Sequence, residues 1–234
     1  MKVIQPNCRI QFTAEDVSFI QKTLGKEPGD QGFLADLLTD PISRDVILDD
    51  AKLLKALLED GGCLRVSNHF YFYVVVRAVL RPAGIEDRVV ADYVAELLTE
   101  FSETERSRCV IQGRDRPLEY FFEMLAALQS ADDRTRFCIR AYIGNYSLFL
   151  SGIFSERIRH RAEQRGFPGI SYFRDLGQIN FRIAGDHRLA ERYELAGVFD
   201  TLSSQFERTR RALHDLSERV FSLGDPPLPI LQRL

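Results

Sequence analysis

The chain has 234 residues, of which 45% are hydrophobic and 28% charged, and its formal net charge is −3. This balance is typical of a folded globular protein and excludes a long disordered chain or a strongly basic nucleic-acid-binding chain. The length allows one large domain or two small ones. The four cysteines lie far apart, so they form none of the close pairs that bind zinc or carry redox chemistry.

Two features favour a cytoplasmic protein that does not enter the membrane. Residues 1–12 lack the apolar stretch of a secretory signal. The most hydrophobic segment, 137–154, contains Arg140 and Asn145 and is shorter than the roughly 20 apolar residues of a membrane span. We therefore expect a buried helix there.

The hydrophobic pattern predicts an all-α fold, a bundle of about eight helices. The first helix follows Thr13, which forms a capping box with Asp16, and stops at Gly25. A loop at 26–32 precedes a short helix over 33–38. The next helix covers 43–59, with apolar residues on one face, and ends at Gly61 and Gly62.

Segment 68–80 is ambiguous because its aromatic and β-branched residues also favour a strand. We predict a buried helix, since the neighbouring segments are helical. A further helix covers 86–101, and the polar segment 102–116 has the composition of a linker. The chain is thus a single domain or two lobes, 1–101 and 117–224.

Three helices are predicted between this linker and the C-terminal region. The first covers 117–129. The second covers 134–164 and is capped by Asp132 or Asp133. The third covers 170–193 and carries apolar residues along one side: Tyr172, Leu176, Ile179, Ile183, Ala190 and Tyr193.

The last helix, 195–223, has the most regular pattern in the chain. Its apolar residues alternate spacings of four and three over four repeats, which is the seam of a coiled coil. The seam predicts lengthwise packing, either within the bundle or against a second copy in a homodimer. Its positions are Leu195, Phe199, Leu202, Phe206, Thr209, Leu213, Leu216, Val220 and Leu223. Residues 225–234 form a proline-rich, extended tail.

Two histidines have acidic neighbours at helical spacing. Glu156, His160 and Glu163 share one helix face, and His187 precedes Glu191 by one turn. Di-metal bundles use Glu-x-x-His on two helices, whereas here the order is reversed and no second copy exists. We therefore expect no metal ion and no cofactor.

Nucleophile elbows and phosphate-binding loops are absent from the sequence, so it predicts no catalytic residue. Polar residues inside apolar segments are the candidates for a small-ligand site, with Asp92, Glu123 and Asp186 as possible partners for buried arginines such as Arg77. The proposed ligand-binding set is Arg140, Asn145, Tyr146, Tyr172, Asp186 and His187. The alternatives are a satisfied polar network or arginines whose charged ends extend to the surface. The basic run 157–165 has the character of surface charge, so we expect no nucleic acid.

Residues 144–154, GNYSLFLSGIF, are followed by a Tyr-Phe-x-x-x-Gly segment that begins at Tyr172. Together they resemble a group of bacterial helical proteins that share a G-[DN]-x-x-L-F-x-[ST]-G-x-F string. Phe173 departs from that group's second tyrosine. The resemblance covers about residues 137–193 and implies a recurring helical unit, without a known activity or catalytic residues.

Two functions are consistent with these features. The first is a non-enzymatic helical protein that acts through protein–protein contacts, as a homodimer through segment 195–223. The second is a helical-bundle enzyme or small-ligand-binding protein with a polar pocket on 137–193. The sequence leaves open whether the chain is an enzyme.

Overall fold

The computed structural model describes residues 3–25, 30–59, 65–102, 109–110, 117–118 and 120–221. The predicted tail at 225–234, the glycines that end the 43–59 helix and most of segment 102–116 lie outside these ranges. The described residues form a short 3-10 helix, Cys8–Gln11, and thirteen α-helices. These are α1 (Ala14–Leu24), α2 (Asp30–Thr39), α3 (Pro41–Leu48), α4 (Ala51–Glu59), α5 (Asn68–Leu80), α6 (Arg88–Ser102), α7 (Phe121–Ser130), α8 (Asp133–Ile153), α9 (Ser155–Arg165), α10 (Ile170–Gly185), α11 (Arg188–Arg192), α12 (Ala196–Ser204) and α13 (Phe206–Phe221).

The all-α prediction is confirmed. The ambiguous segment 68–80 is helix α5, capped by the Ser67 side chain, which accepts a hydrogen bond from the Phe70 amide. The Thr13 capping box forms as expected, and Asp132 rather than Asp133 caps α8. In the described ranges the only β-type pairing is an isolated bridge between Cys109 and Leu118.

There are more helices than predicted because four predicted helices are each divided in two. The 43–59 helix breaks at Asp49 and Asp50, and Asp50 caps the new start by accepting a hydrogen bond from the Lys52 amide. The 134–164 helix breaks at Phe154, the 195–223 helix at Gln205, and the 170–193 helix between Gly185 and Arg188. Predicted helix 117–129 begins only at Phe121.

Helix α8 lies at the centre of the fold. Helices α10 and α13 pack along it, and α6, α7 and α9 also contact it. The main hydrophobic core draws on residues before segment 102–116 and on residues after it, so the two predicted lobes share one core. Phe199 lies at its centre and contacts Tyr93, Phe137 and Phe181. A smaller cluster joins α7 to the outer side of α8.

The heptad seam is buried within the chain. Its first seven residues are at most 5% exposed, because α12 packs on α10 and α6 while α13 packs on α8 and α5. The side chains of Val220 and Leu223, the last two of the seam, lie outside the part of the chain that the structure describes. A partner chain therefore has no open seam to pack on from Leu195 to Leu216, and self-association would need another surface.

Among the described glycines, Gly177 on α10 leaves the least room for a Cβ atom. A Cβ placed there would lie 2.3 Å from the Phe206 ring on α13 and 3.1 Å from Ser147 Cβ on α8. Both neighbours are buried, so they have little room to move.

We expect Gly177→Ala to lower the free energy of unfolding by about 2 kcal/mol, because overpacking outweighs the gain in helix propensity. Gly197→Ala is the control, since a Cβ there meets nothing within 4 Å. Urea unfolding measures the free energy of unfolding of both variants. Equal stability of Gly177→Ala and the parent chain would contradict this packing.

None of the helices described is both long and apolar enough to cross a lipid bilayer.

Candidate functional site

Arg140 and Asn145 lie on α8 but face different neighbours. Arg140 Nη1 donates to Asn180 Oδ1 on α10 at 2.8 Å, and partial burial lowers the pKa of this arginine. Asn145 Oδ1 accepts a hydrogen bond from the Tyr93 hydroxyl on α6 at 2.9 Å. Complete burial raises the pKa of Tyr93, so its hydroxyl stays protonated and can act as the donor. Each polar group thus has a partner within the core.

Tyr146 belongs to an aromatic stack between α6, α7 and α8. Its ring lies 5.9 Å from Phe101 and 5.3 Å from Phe121, measured between ring centroids. Tyr142 also stacks on Phe101, and its ring lies beside that of Tyr146. The ring of Tyr146 therefore packs between helices.

The other three predicted ligand-binding residues lie at or near the surface. Tyr172 is exposed near the start of α10, and Asp186 is exposed at its end. His187 caps α11 by accepting a hydrogen bond from the Leu189 amide, and its Nε2 lies 3.0 Å from Asp133 Oδ1. The six predicted residues thus contact different elements, and their role in ligand binding stays a prediction.

A network of charged side chains, which the sequence pattern did not predict, joins α3, α5 and α6. Asp49 follows α3 and accepts hydrogen bonds from Arg77 Nε at 3.0 Å and from Arg88 Nη2 at 2.7 Å. Arg77 also donates to the Glu86 carbonyl. The partner of Arg77 is therefore Asp49, not one of the three predicted acids. Partial burial raises the pKa of Asp49, but the two arginines outweigh it and hold the pKa below its usual value.

The same network continues through Arg9, in the short 3-10 helix. Its side chain contacts Asp45 at 2.8 Å and Asp92 at 3.4 Å, and its guanidinium lies over the Tyr73 ring at 5.5 Å. Burial raises the pKa of Asp92, although hydrogen bonds and charge from Arg9 oppose this effect. Arg9 thus pairs with one aspartate on α3 and one on α6, so the network fastens the N-terminal segment to both helices.

A second buried charge anchors α13 to the break between α8 and α9. Arg210 Nη1 donates to Ser155 Oγ at 3.0 Å and to the Ser151 carbonyl at 3.3 Å, while Glu207 pairs with its other nitrogens. Ser155 in turn donates to the Ser151 carbonyl. The guanidinium thus binds the backbone where α8 ends and sets the position of α13.

The sequence predicted that Glu156, His160 and Glu163 share one helix face. In the structure, His160 and Glu163 are exposed. Glu156 instead approaches His214 on α13, with Glu156 Oε1 at 3.5 Å from His214 Nε2. Spacing along one helix could not indicate this contact, because it joins residues on different helices.

The outward side of α10 is apolar. We call Tyr172, Leu176, Ile179 and Ile183 the outer stripe; their spacings are four, three and four residues. Tyr172, Ile179 and Ile183 are 41%, 53% and 42% exposed, and Leu176 is half-buried against the smaller hydrophobic cluster between α7 and α8. The buried side of α10 consists instead of Gly177, Asn180, Phe181 and Ala184.

Two further aromatic residues lie near one end of this stripe. Tyr120 and Phe122, beside the start of α7, are exposed and stack with ring centroids 5.5 Å apart. Phe121, between them, contacts Phe173, which contacts Tyr172. Adjoining apolar side chains of this kind mark interaction sites, whereas single exposed ones do not.

The chain matches no protein-family model, and comparisons with curated proteins and with solved structures find no match either.

Proposed function

We propose that this chain is a non-enzymatic helical protein that acts through protein–protein contacts, and that the outer stripe of α10 binds a second copy of the chain. The observation that carries the proposal is the exposure of the stripe's isoleucines at heptad spacing. Covering an apolar seam of this kind with another helix removes apolar surface from water, which favours association.

The charges beside the stripe favour a second copy in antiparallel orientation. Asp175 and Arg182 are both exposed and lie seven residues apart, so they flank the stripe on the same side of α10. When two copies of α10 run antiparallel, with Leu176 of each packed against Ile179 of the other, Asp175 of each copy lies near Arg182 of the other. A two-fold interface forms this pair twice.

Asp175 already accepts a hydrogen bond from the neighbouring Arg174 in the single chain. Arg182 has no ion pair within the described ranges, so it is available to a partner chain. Such pairs at the rim of an interface add little affinity, but they select orientation and exclude like-charged arrangements. The apolar stripe supplies the affinity and the charges set the antiparallel direction.

The test exchanges the charges of Asp175 and Arg182, and sedimentation equilibrium measures the mass of each variant in solution. The parent chain should have twice its single-chain mass of 26.8 kDa. Arg182→Asp should weaken the dimer, because two acids then face each other, and the double change Asp175→Arg with Arg182→Asp should restore it. A monomeric parent chain, or a double variant weaker than the single one, would overturn the proposal.

A further inference from the structure

Three side chains from two helices converge beside the end of α8. His214 on α13 is 14% exposed, and its Nε2 lies 3.5 Å from Glu156 Oε1 and 3.7 Å from Glu218 Oε1. The three atoms all lie within 4.8 Å of one another. These distances identify Nε2 as the ring atom that faces the two carboxylates, while Nδ1 is buried and has no hydrogen-bond partner among the described residues.

The local fold holds this arrangement in place. Glu156 lies in the first turn of α9, immediately after Ser155, which binds Arg210. His214 and Glu218 follow on α13, and His214 is one turn beyond Arg210, so they lie on adjoining turns of the same helix. The buried contact between Arg210 and Ser155 therefore also sets the distance from Glu156 to His214.

The distances fit a metal ion of moderate size. In a tetrahedral zinc site, Zn–N and Zn–O bonds of about 2.0–2.2 Å place neighbouring ligand atoms about 3.4 Å apart. The two distances from His214 Nε2 are close to that separation. We propose that Glu156, His214 and Glu218 bind one divalent transition-metal ion of the Zn²⁺ class.

The charge of the group agrees with this assignment. Two carboxylates and a neutral imidazole carry two negative charges, which one divalent cation balances. Without an ion the two carboxylates repel each other, and the contacts that offset this repulsion are the ion pair of Glu156 with Arg159 and, when its ring is protonated, those of His214 with both glutamates. Both glutamates are largely exposed, so the ion enters from solvent and water completes its coordination. The bound ion joins the start of α9 to α13.

The test is titration of the metal-free, full-length chain with ZnCl₂ by isothermal calorimetry, together with thermal unfolding. We expect one equivalent to bind and the unfolding temperature to rise, because the ion binds the folded state. His214→Ala and Glu218→Gln should each weaken binding at least about tenfold, because even the loss of a residue that only supports a ligand costs about 10–100-fold. His160→Ala, which changes an exposed histidine outside the group, should bind like the parent chain.

The absorption spectrum of the chain with bound Co²⁺ shows whether the ion binds at this histidine–glutamate group or at the cysteines. The spectrum should show d–d bands that are lost in His214→Ala, without a thiolate charge-transfer band. Circular dichroism of each metal-free variant checks that it folds, and Glu218→Gln preserves the shape of the side chain. Absence of binding, equal binding by His214→Ala, or a thiolate band would each overturn the proposal.

Discussion

Ile179→Asp should convert the proposed dimer into a monomer. Ile179 is the most exposed residue of the outer stripe and lies at the centre of the antiparallel pairing. Each copy would then place an unpaired carboxylate against the other copy's apolar stripe. Centrally buried anchor residues contribute about 2 kcal/mol or more each, so the two copies together lose about 4 kcal/mol, roughly a 1,000-fold rise in Kd.

Light scattering over a range of concentrations measures this change. The matched control is Ile42→Asp on α3, which replaces another exposed isoleucine, 77% exposed and outside the stripe. Both variants should keep the parent's helical circular dichroism, because neither side chain belongs to the buried core. A dimer that survives Ile179→Asp with unchanged Kd would exclude the outer stripe as its interface.

Asp49→Asn should have the largest effect on stability among the polar residues. The substitution keeps the shape of the side chain but removes the charge that binds Arg77 and Arg88. Arg77 is buried, so it loses its carboxylate where water cannot replace it. Removing one partner of a buried ion pair costs about 3–5 kcal/mol. We expect about 3 kcal/mol, because the Asp49 side chain remains 12% exposed.

The pH dependence gives a second measurement of the same group. The folded-state pKa of Asp49 is lowered, so its contribution to stability is complete above the unfolded-state pKa of about 3.9. The contribution is lost as the pH falls through the lower, folded-state pKa. Asp49→Asn should therefore show a smaller loss of stability between neutral and acid pH than the parent chain.

Asp133→Asn is the control for Asp49→Asn. Asp133 also binds an arginine, Arg188, and hydrogen bonds from Arg188 and His187 lower its pKa. However, its side chain is exposed, and exposed ion pairs contribute little to stability. If urea unfolding gave equal losses for the two substitutions, burial would not be what makes the Asp49 network important.

Local sequence signals predicted individual helix starts well. Thr13 and Asp132 cap helices with their own side chains, and such hydrogen bonds depend only on residues within one turn. The breaks at Phe154 and Gln205 had no comparable signal, because neither position carries proline or glycine. At Phe154, α13 packs against the end of α8, and Arg210 binds the backbone there. That contact joins residues more than 50 positions apart.

The candidate surfaces also depend on contacts between distant segments, so the sequence alone could not assign them. The apolar spacing of Tyr172, Ile179 and Ile183 predicted that they share one side of the helix, but it did not indicate whether that side is buried. In the structure these residues face outward, because Gly177 and Phe181 give α10 a closer fit against its neighbours. Periodicity shows that a stripe exists, whereas the shape of the neighbouring helices decides which stripe is buried.

By itself, the sequence determined that this chain is helical, where most of its helices lie and how several of them begin. Those properties follow from hydrogen bonds and side-chain spacings within a few residues. The tertiary structure alone decided that Arg77 pairs with Asp49, that the seam beginning at Leu195 is buried within the chain, and that Glu156 meets His214. Each of these contacts joins distant segments, and their positions depend on how all the helices pack together.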